Sequence, residues 1–258
     1  MAQRPSRSLK YEYALYLEQE IENYKESVSR TVLLTIGDDA VRALATQQQF
    51  ALTELLLCDE VDKIIFKRLR LSSYATWRKN RLKLMAELRR PEHWGLSRDD
   101  LVVRAVHAVA GDSRVLLAGA QVETPALYLA ANGCDVTALA EPDAVQRVLV
   151  AAREAGLGER VHASAAALDS FTPDAPLSAV IYTPAAFAGL SAAERARVIL
   201  VLQSATADGG VHLVQTIAAG KSAPVSIDEL RRRYRGWDVT VDDEAPNRFL
   251  ARKGIAQC

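Results

Sequence analysis

The chain has 258 residues, of which 49% are apolar, and its 32 basic and 32 acidic side chains cancel. That length holds one large domain, or an ordinary domain with a smaller one, and the apolar share is enough for a real core. The charge balance excludes a global field that would select a polyanionic partner. Three cysteines, Cys58, Cys134 and Cys258, are odd in number, far apart and without a CxxC pair. They indicate neither a disulfide framework nor a zinc site, so reduced thiols and no metal are expected. The first twenty residues lack the apolar core of a signal peptide, and no run reaches the ~18 apolar residues of a membrane span. A cytoplasmic protein without a membrane span is the expectation.

The first hundred residues carry helical periodicity. Leu9, Tyr13, Leu17, Ile21, Tyr24 and Val28 recur at spacings of three to five and define one helix stripe, with Glu18, Glu22 and Glu26 on the other side. A second helical stretch is predicted from about Asp38 to Leu69, with a break near Cys58-Asp59. A third runs from about Ser73 to Arg90, with Tyr74, Trp77, Leu84, Met85 and Leu88 on one side. Pro91 ends it, because proline disfavours a helical residue before it. The segment PEHWGLSRDD reads as a linker, and one more helix follows over about Arg98 to Ala110. The predicted division is a helical domain over 1–96 and an α/β domain over 97–258.

In the second half, strands and helices alternate. Arg114 to Ala118 is a short apolar run of the kind found in buried parallel strands. Thr124-Pro125 opens a helix, with Thr as N-cap and Pro at the first helical position. Asn132-Gly133 closes it through a left-handed glycine. Asp135 to Ala140 is a second strand, followed by a helix from Pro142 to near Gly156. Val161 to Ser164 and Ser178 to Thr183 are the third and fourth strands. Ser191-Ala-Ala-Glu194 and Ser226-Ile-Asp-Glu229 have capping-box spacing and open two further helices. Between them, Asp208-Gly-Gly210 reads as a turn and Val211 to Ile217 as the fifth strand. Trp237 to Val241 and Arg248 to Arg252 close the chain as neighbouring strands. This alternation predicts a Rossmann-like, doubly wound, mostly parallel seven-stranded α/β sheet. Ligands of such sheets sit at the carboxyl ends of the strands, near the first strand-to-helix loop.

The run LLAGAQVETPALYLAANGCDVTALAEPDAV resembles the first β-α-β unit of class I S-adenosylmethionine-dependent methyltransferases. The closest resemblance is to the tellurite-resistance methyltransferase group. Ala126-Leu-Tyr-Leu-Ala130, Gly133, Asp135-Val-Thr-Ala138 and the later Asp208-Gly-Gly210 carry it, and it extends over about Asp112 to Lys253. The resemblance implies the class I methyltransferase fold, S-adenosylmethionine as cofactor and methyl transfer to a small-molecule acceptor. It also implies a cofactor site at Gly119, Ala120, Gln121, Glu141 and Leu168, and a substrate pocket at Tyr182 and Thr183.

Departures from the family pattern fall on that site. The acidic residue ending the first strand is Leu117 here. Of the GxGxG loop only Gly119 remains, with Gln121 and Glu123 at the other two glycine positions. The acidic residue ending the second strand is Ala140, with Glu141 one place later as a ribose partner or a helix-entry residue. The acidic positions after the third strand and at the start of the fourth are Ala167 and Ser178. A lost hydrogen bond to a charged group costs about 1.5–3 kcal/mol, so two such losses weaken binding by roughly two to four powers of ten. Against that, the helix after the loop still offers its N-terminal amides to an anion. A catalytically inactive methyltransferase-fold subunit, serving as a protein-interaction or scaffold module, therefore stands beside the enzyme reading.

Other features yield weaker readings. His93, His107, His162 and His212 form no HxxxH or HxH pair, and His162 and His212 lie in apolar strands as structural residues would. Trp77, Trp94 and Trp237 read as anchors of cores or of the domain junction. From Lys63 to Arg90 ten basic residues face one acid, Glu87. Lys79, Lys83 and Arg90 lie opposite the apolar stripe of their helix. They form a possible contact surface for nucleic acid or an acidic protein, or a solvated face balanced by the acidic first helix. No residue stands out as a catalytic acid, base or nucleophile, and the oligomeric state is open.

Overall fold

The computed structural model describes residues 8–45, 54–109, 112–183, 185–216, 225–242 and 247–255. The chain divides into two compact units, Met1–Leu84 and Met85–Cys258.

The first unit is helical. It contains α1 (Leu9–Ser27), α2 (Arg30–Ala45), α3 (Glu54–Leu69) and α4 (Tyr74–Leu88), with the division between units falling inside α4. Ser8 starts α1 by accepting a hydrogen bond from the Tyr11 amide. Such a cap answers one of the four amides that a helix start leaves without an internal partner. Ile21, Ile36 and Ile65, one from each of the first three helices, form the buried centre. Tyr13 and Tyr16 of α1 pack on Tyr74 and Trp77 of α4, and the Tyr13 hydroxyl donates to the Ser72 carbonyl at 2.7 Å. Two sequence expectations change. The helix expected from Asp38 begins at Arg30, and Cys58-Asp59 lies inside an unbroken α3. The break between those helices falls in 46–53, outside the described residues.

The segment expected to be a linker is folded into the second unit. Pro91–Trp94 forms a 3₁₀ turn, held by the Trp94 indole donating to the Leu88 carbonyl at 2.7 Å. Next come α5 (Leu101–Ala108), β1 (Arg114–Ala118), α6 (Glu123–Ala131), β2 (Asp135–Leu139), α7 (Pro142–Glu154), β3 (Val161–Ser164) and β4 (Leu177–Tyr182). They are followed by α8 (Ala192–Ala205), β5 (Thr206–Gln215), α9 (Ile227–Arg233), β6 (Asp238–Val241) and β7 (Arg248–Arg252). Ala110 and Ile217, expected to end α5 and β5, lie outside the described residues.

The strands form one seven-stranded sheet in the order β3-β2-β1-β4-β5-β7-β6. β1 to β5 pair in parallel, and β7 runs antiparallel to both β5 and β6. Alternate residues of a strand face opposite sides, and β1 shows it directly. Val115 and Leu117 enter the core cluster built with α5, α6 and α7, whereas Leu116 and Ala118 enter the cluster built with α8 and α9. Both layers bury apolar side chains, which is why the strands read as continuous apolar runs.

Local signals explain the helix ends. α6 closes in a Schellman turn: Gly133 at φ +95° donates to the Ala130 carbonyl, and Cys134 donates to that of Leu129. α8 begins with both bonds of the Ser191–Glu194 capping box. α9 has the Ser226 half, and Glu229 instead meets Arg195 of α8 at 3.3 Å, with both side chains largely buried. The start of α6 differs from expectation. It begins one residue before Thr124, after Val122, with no side-chain cap. Asp208-Gly-Gly210 also differs, for it lies within β5, where the β4–β5 ladder shifts register. Gly209 adopts φ +75°, and a Cβ on Gly210 would stand 2.6 Å from the Thr206 side chain.

His212 of β5 is fully buried in a polar chain. The Thr206 hydroxyl donates its one proton to the Leu202 carbonyl at 2.6 Å, so His212 Nε2 must donate to Thr206 at 2.7 Å. His212 Nδ1 is then the acceptor, and takes the Tyr234 hydroxyl proton at 2.6 Å. The Tyr182 hydroxyl turns toward that of Tyr234, and burial pushes the pKa of both phenols up. Burial, helped by the Lys253 charge, pushes the His212 pKa down to about 3 from 6.5. His212 is thus the structural histidine expected from its apolar strand. His162 is not a buried one, since its side chain is 60% exposed and faces Asp135 at 3.2 Å.

This fixes a pH dependence. Below pH 6.5 the unfolded chain protonates His212 while the folded chain does not, so stability falls as pH drops toward 3. The expected loss from this group is up to about 1.4 kcal/mol per pH unit in that window. Urea titrations at pH 7, 6 and 5 measure it. In parallel, the His212 ring resonances should stay in the neutral Nε2–H form from pH 8 to 5, whereas a ring titrating near 6.5 would contradict the buried chain.

Candidate functional site

The sheet order reverses between β1 and β4, and crevices of open α/β sheets form at such a switch point. The loop after β1 is Gly119-Ala120-Gln121. Gly119 sits at φ +121°, and the position of a Cβ there is 2.9 Å from the Thr183 carbonyl oxygen and 3.1 Å from the Ala186 nitrogen. It is nearer still to Thr183 Oγ1. Only glycine fits, because the loop after β4 presses on its backbone.

Thr183 makes that closure a bonded one. Its amide donates to the Ala118 carbonyl at 2.9 Å, continuing the β1–β4 ladder by one step. Its hydroxyl lies 2.8 Å from the Ala120 carbonyl and 3.2 Å from that of Ala118, and donates its proton to this pair of acceptors. Thr183 is only 8% exposed. The first loop is thereby strapped to the end of β4 across the switch point. Gln121 occupies the second glycine position of the family pattern and keeps a glycine-like backbone at φ +54°, with its side chain exposed. That conformation costs an L-residue about 1–2 kcal/mol.

The sequence resemblance implies S-adenosylmethionine, and the residues present at its acidic and glycine positions do not fit it. Leu117, at the first acidic position, is fully buried in the core cluster beneath α6, so apolar packing replaces a polar contact. Glu123 stands in the first turn of α6 and faces Arg147 at 3.9 Å, so a carboxylate already lies at the positive helix end and opposes a second anion there. The crevice edge at Gly119 is taken up by Thr183 and Ala186. Glu141 is the exception. It is exposed past β2 at the N-cap of α7 and does not cap that helix, so its carboxylate is not spent on the helix amides.

The structure thus brings Gly119, Ala120, Tyr182 and Thr183 together, with Ala118 and Tyr182 as register partners. Leu168 is half-buried and packs on the cluster beneath α8, as a hydrophobic contact. Tyr182 is fully buried and stacked on Phe187 at 4.8 Å, so it faces the core and not an open pocket. Lys79 and Lys83 are exposed on α4, but Arg90 lies beyond the helix and pairs with Glu87 at 3.3 Å. The three therefore do not share one helix face. Ala186 and the strap itself escaped sequence reading. The available signal was a β-branched hydroxyl residue ending a strand opposite the one retained glycine. Among the described residues, no group of three metal-ligating side chains forms, and no helix is long and apolar enough to cross a membrane. Two surface hollows lie elsewhere, one about Pro176, Thr206 and Asp208, the other about Leu149, Arg153 and Gly158.

No protein-family model matches the chain, and no curated protein sequence matches it either. Solved structures do. A protein described as an rRNA-methylase from Clostridium thermocellum superimposes with a TM-score of 0.50 at 14% identity, over 61% of this chain and 94% of that one. TehB from Haemophilus influenzae gives 0.49 at 17% identity, over 59% of this chain and 61% of TehB, under two thirds of TehB's length. The [4+2]-cyclase SpnF gives 0.49 at 18% identity, over 60% and 80% of the two chains. The fold of the second unit is that of class I methyltransferases.

The strap has measurable weight. Gly119→Ala should destabilise the protein by about 2–4 kcal/mol, from overpacking together with the left-handed φ. Thr183→Val keeps the shape and removes the hydroxyl, and should cost about 1 kcal/mol, as for one hydrogen bond. Urea denaturation reads both, and a neutral Gly119→Ala would show that the loop is not clamped.

Proposed function

We propose that this protein is a methyltransferase-fold subunit that does not use S-adenosylmethionine and serves as a protein-interaction or scaffold module. The observation that carries the reading is the Thr183 hydroxyl bonded to the Ala118 and Ala120 carbonyls, with no room for a Cβ at Gly119. A small molecule passing from the β1 loop to the end of β4 meets that strap. The buried Leu117 supports the same conclusion, since rebuilding a charged contact there requires a carboxylate inside an apolar cluster. What the fold retains is a seven-stranded sheet covered by helices on both faces, attached to a helical unit with exposed charged faces. Those features suit assembly.

The competing reading is methyl transfer to a small acceptor, with Glu141 holding the ribose and Gln121 acting as a new donor. Isothermal titration separates the two. With either S-adenosylmethionine or S-adenosylhomocysteine at about 1 mM, no binding heat is expected. That limit corresponds to less than about 4 kcal/mol of binding free energy. Saturable binding in the micromolar range would restore the enzyme reading.

A further inference from the structure

Helices α1 and α4 carry opposite charges at matching spacing. Glu18, Glu22 and Glu26 recur every four residues on α1 and are all exposed. Lys79 and Lys83 show the same interval on α4, with Arg78 beside them, all exposed. Residues four apart on a helix stack about 6 Å apart on one face. Among the described residues, five of the nine other cations of this unit are answered internally. Arg42 and Arg68 meet Asp39, Lys63 meets Glu60, Arg81 meets Glu12, and Lys25 meets both Glu22 and Asp62. Among the described residues, no ion pair takes Arg78, Lys79, Lys83, Glu18 or Glu26.

The two stripes cannot answer each other within one chain. α1 and α4 meet through Tyr13, Tyr16, Tyr74 and Trp77 and through Arg81–Glu12, which leaves both stripes on outward faces. Each stripe also has a half-exposed apolar neighbour: Tyr11 on α1, 49% exposed, and Leu82 on α4, 47% exposed. Opposite charges at equal intervals, each with an apolar companion, complement each other between two copies. In a two-fold dimer the contact occurs twice, since each α1 meets the partner's α4.

We propose that the protein self-associates through its helical unit, the Glu18–Glu22–Glu26 stripe of one copy against the Arg78–Lys79–Lys83 stripe of another. This contact is independent of the crevice at Gly119. Sedimentation velocity on the full chain tests it. A dimer is expected at 50 mM salt, and about tenfold weaker association at 500 mM, where screening shortens the reach of surface charges. K79E/K83E and E18K/E22K should each be monomeric with unchanged circular dichroism, and an equimolar mixture of the two should associate again. A chain that is monomeric at low salt at every concentration overturns the proposal. So does a dimer that K79E/K83E leaves intact. A single-stranded RNA oligomer bound through Lys79 and Lys83 by a monomeric chain also overturns it, and assigns the basic face to a polyanion.

Discussion

One hydroxyl organises the carboxyl end of the sheet. Thr183 Oγ1 reaches the backbone carbonyls that flank Gly119, and its amide extends the β1–β4 ladder to the same loop. The crevice of an open α/β sheet depends on the two loops at the switch point diverging. Here the Thr183 hydroxyl and amide hold them together, and a Cβ at the glycine position would collide with Thr183 and Ala186. Gln121 follows in a left-handed conformation that glycine adopts without strain. Gly119 and Gln121 both keep positive φ, while Gln121 carries its exposed side chain at that turn.

Behind the strap, the β4 and β5 side is filled by rings. Tyr182 stacks on Phe187 and meets His212 edge-on, and His212 in turn contacts Tyr234 and Trp237. Phe249 of β7 extends the group from the antiparallel side. Ring packing of this kind fixes side chains firmly, and hydrogen bonds to Thr206 and Tyr234 satisfy both ring nitrogens of the buried His212. On the β1 and β2 side, Leu117 and Ala138 contribute to a continuous apolar cluster. Both flanks of the switch point have thus become core. Past β2, the carboxylate of Glu141 is exposed and makes no cap bond to α7.

Much of the fold was legible because its signals are local. The Ser191–Glu194 box, the Asn132-Gly133 turn and the apolar strands each act within a few residues, and all three appear where expected. Helix boundaries in the first unit were less legible. Apolar and polar residues alternate there, and among the described residues the central cluster buries just three isoleucines. Asp208-Gly-Gly210 was misread as a free turn because its constraint comes from the neighbouring strand. The erosion of the cofactor loop was visible as missing glycines and acids. The strap was not, since Thr183 lies 63 positions from Ala120 in the chain. Spacing rules do not reach a contact of that range.

Thr183 closes the loop at Gly119, and an adenosyl ligand is not expected to enter it. The most direct measurement is an amide nitrogen–proton spectrum of the full chain recorded with and without S-adenosylhomocysteine. Unmoved resonances for Gly119, Gln121, Glu141 and Thr183 at millimolar ligand are the predicted result. Saturable shifts at Gly119 and Glu141 together would contradict it, since they would mean that the strap opens to a nucleoside.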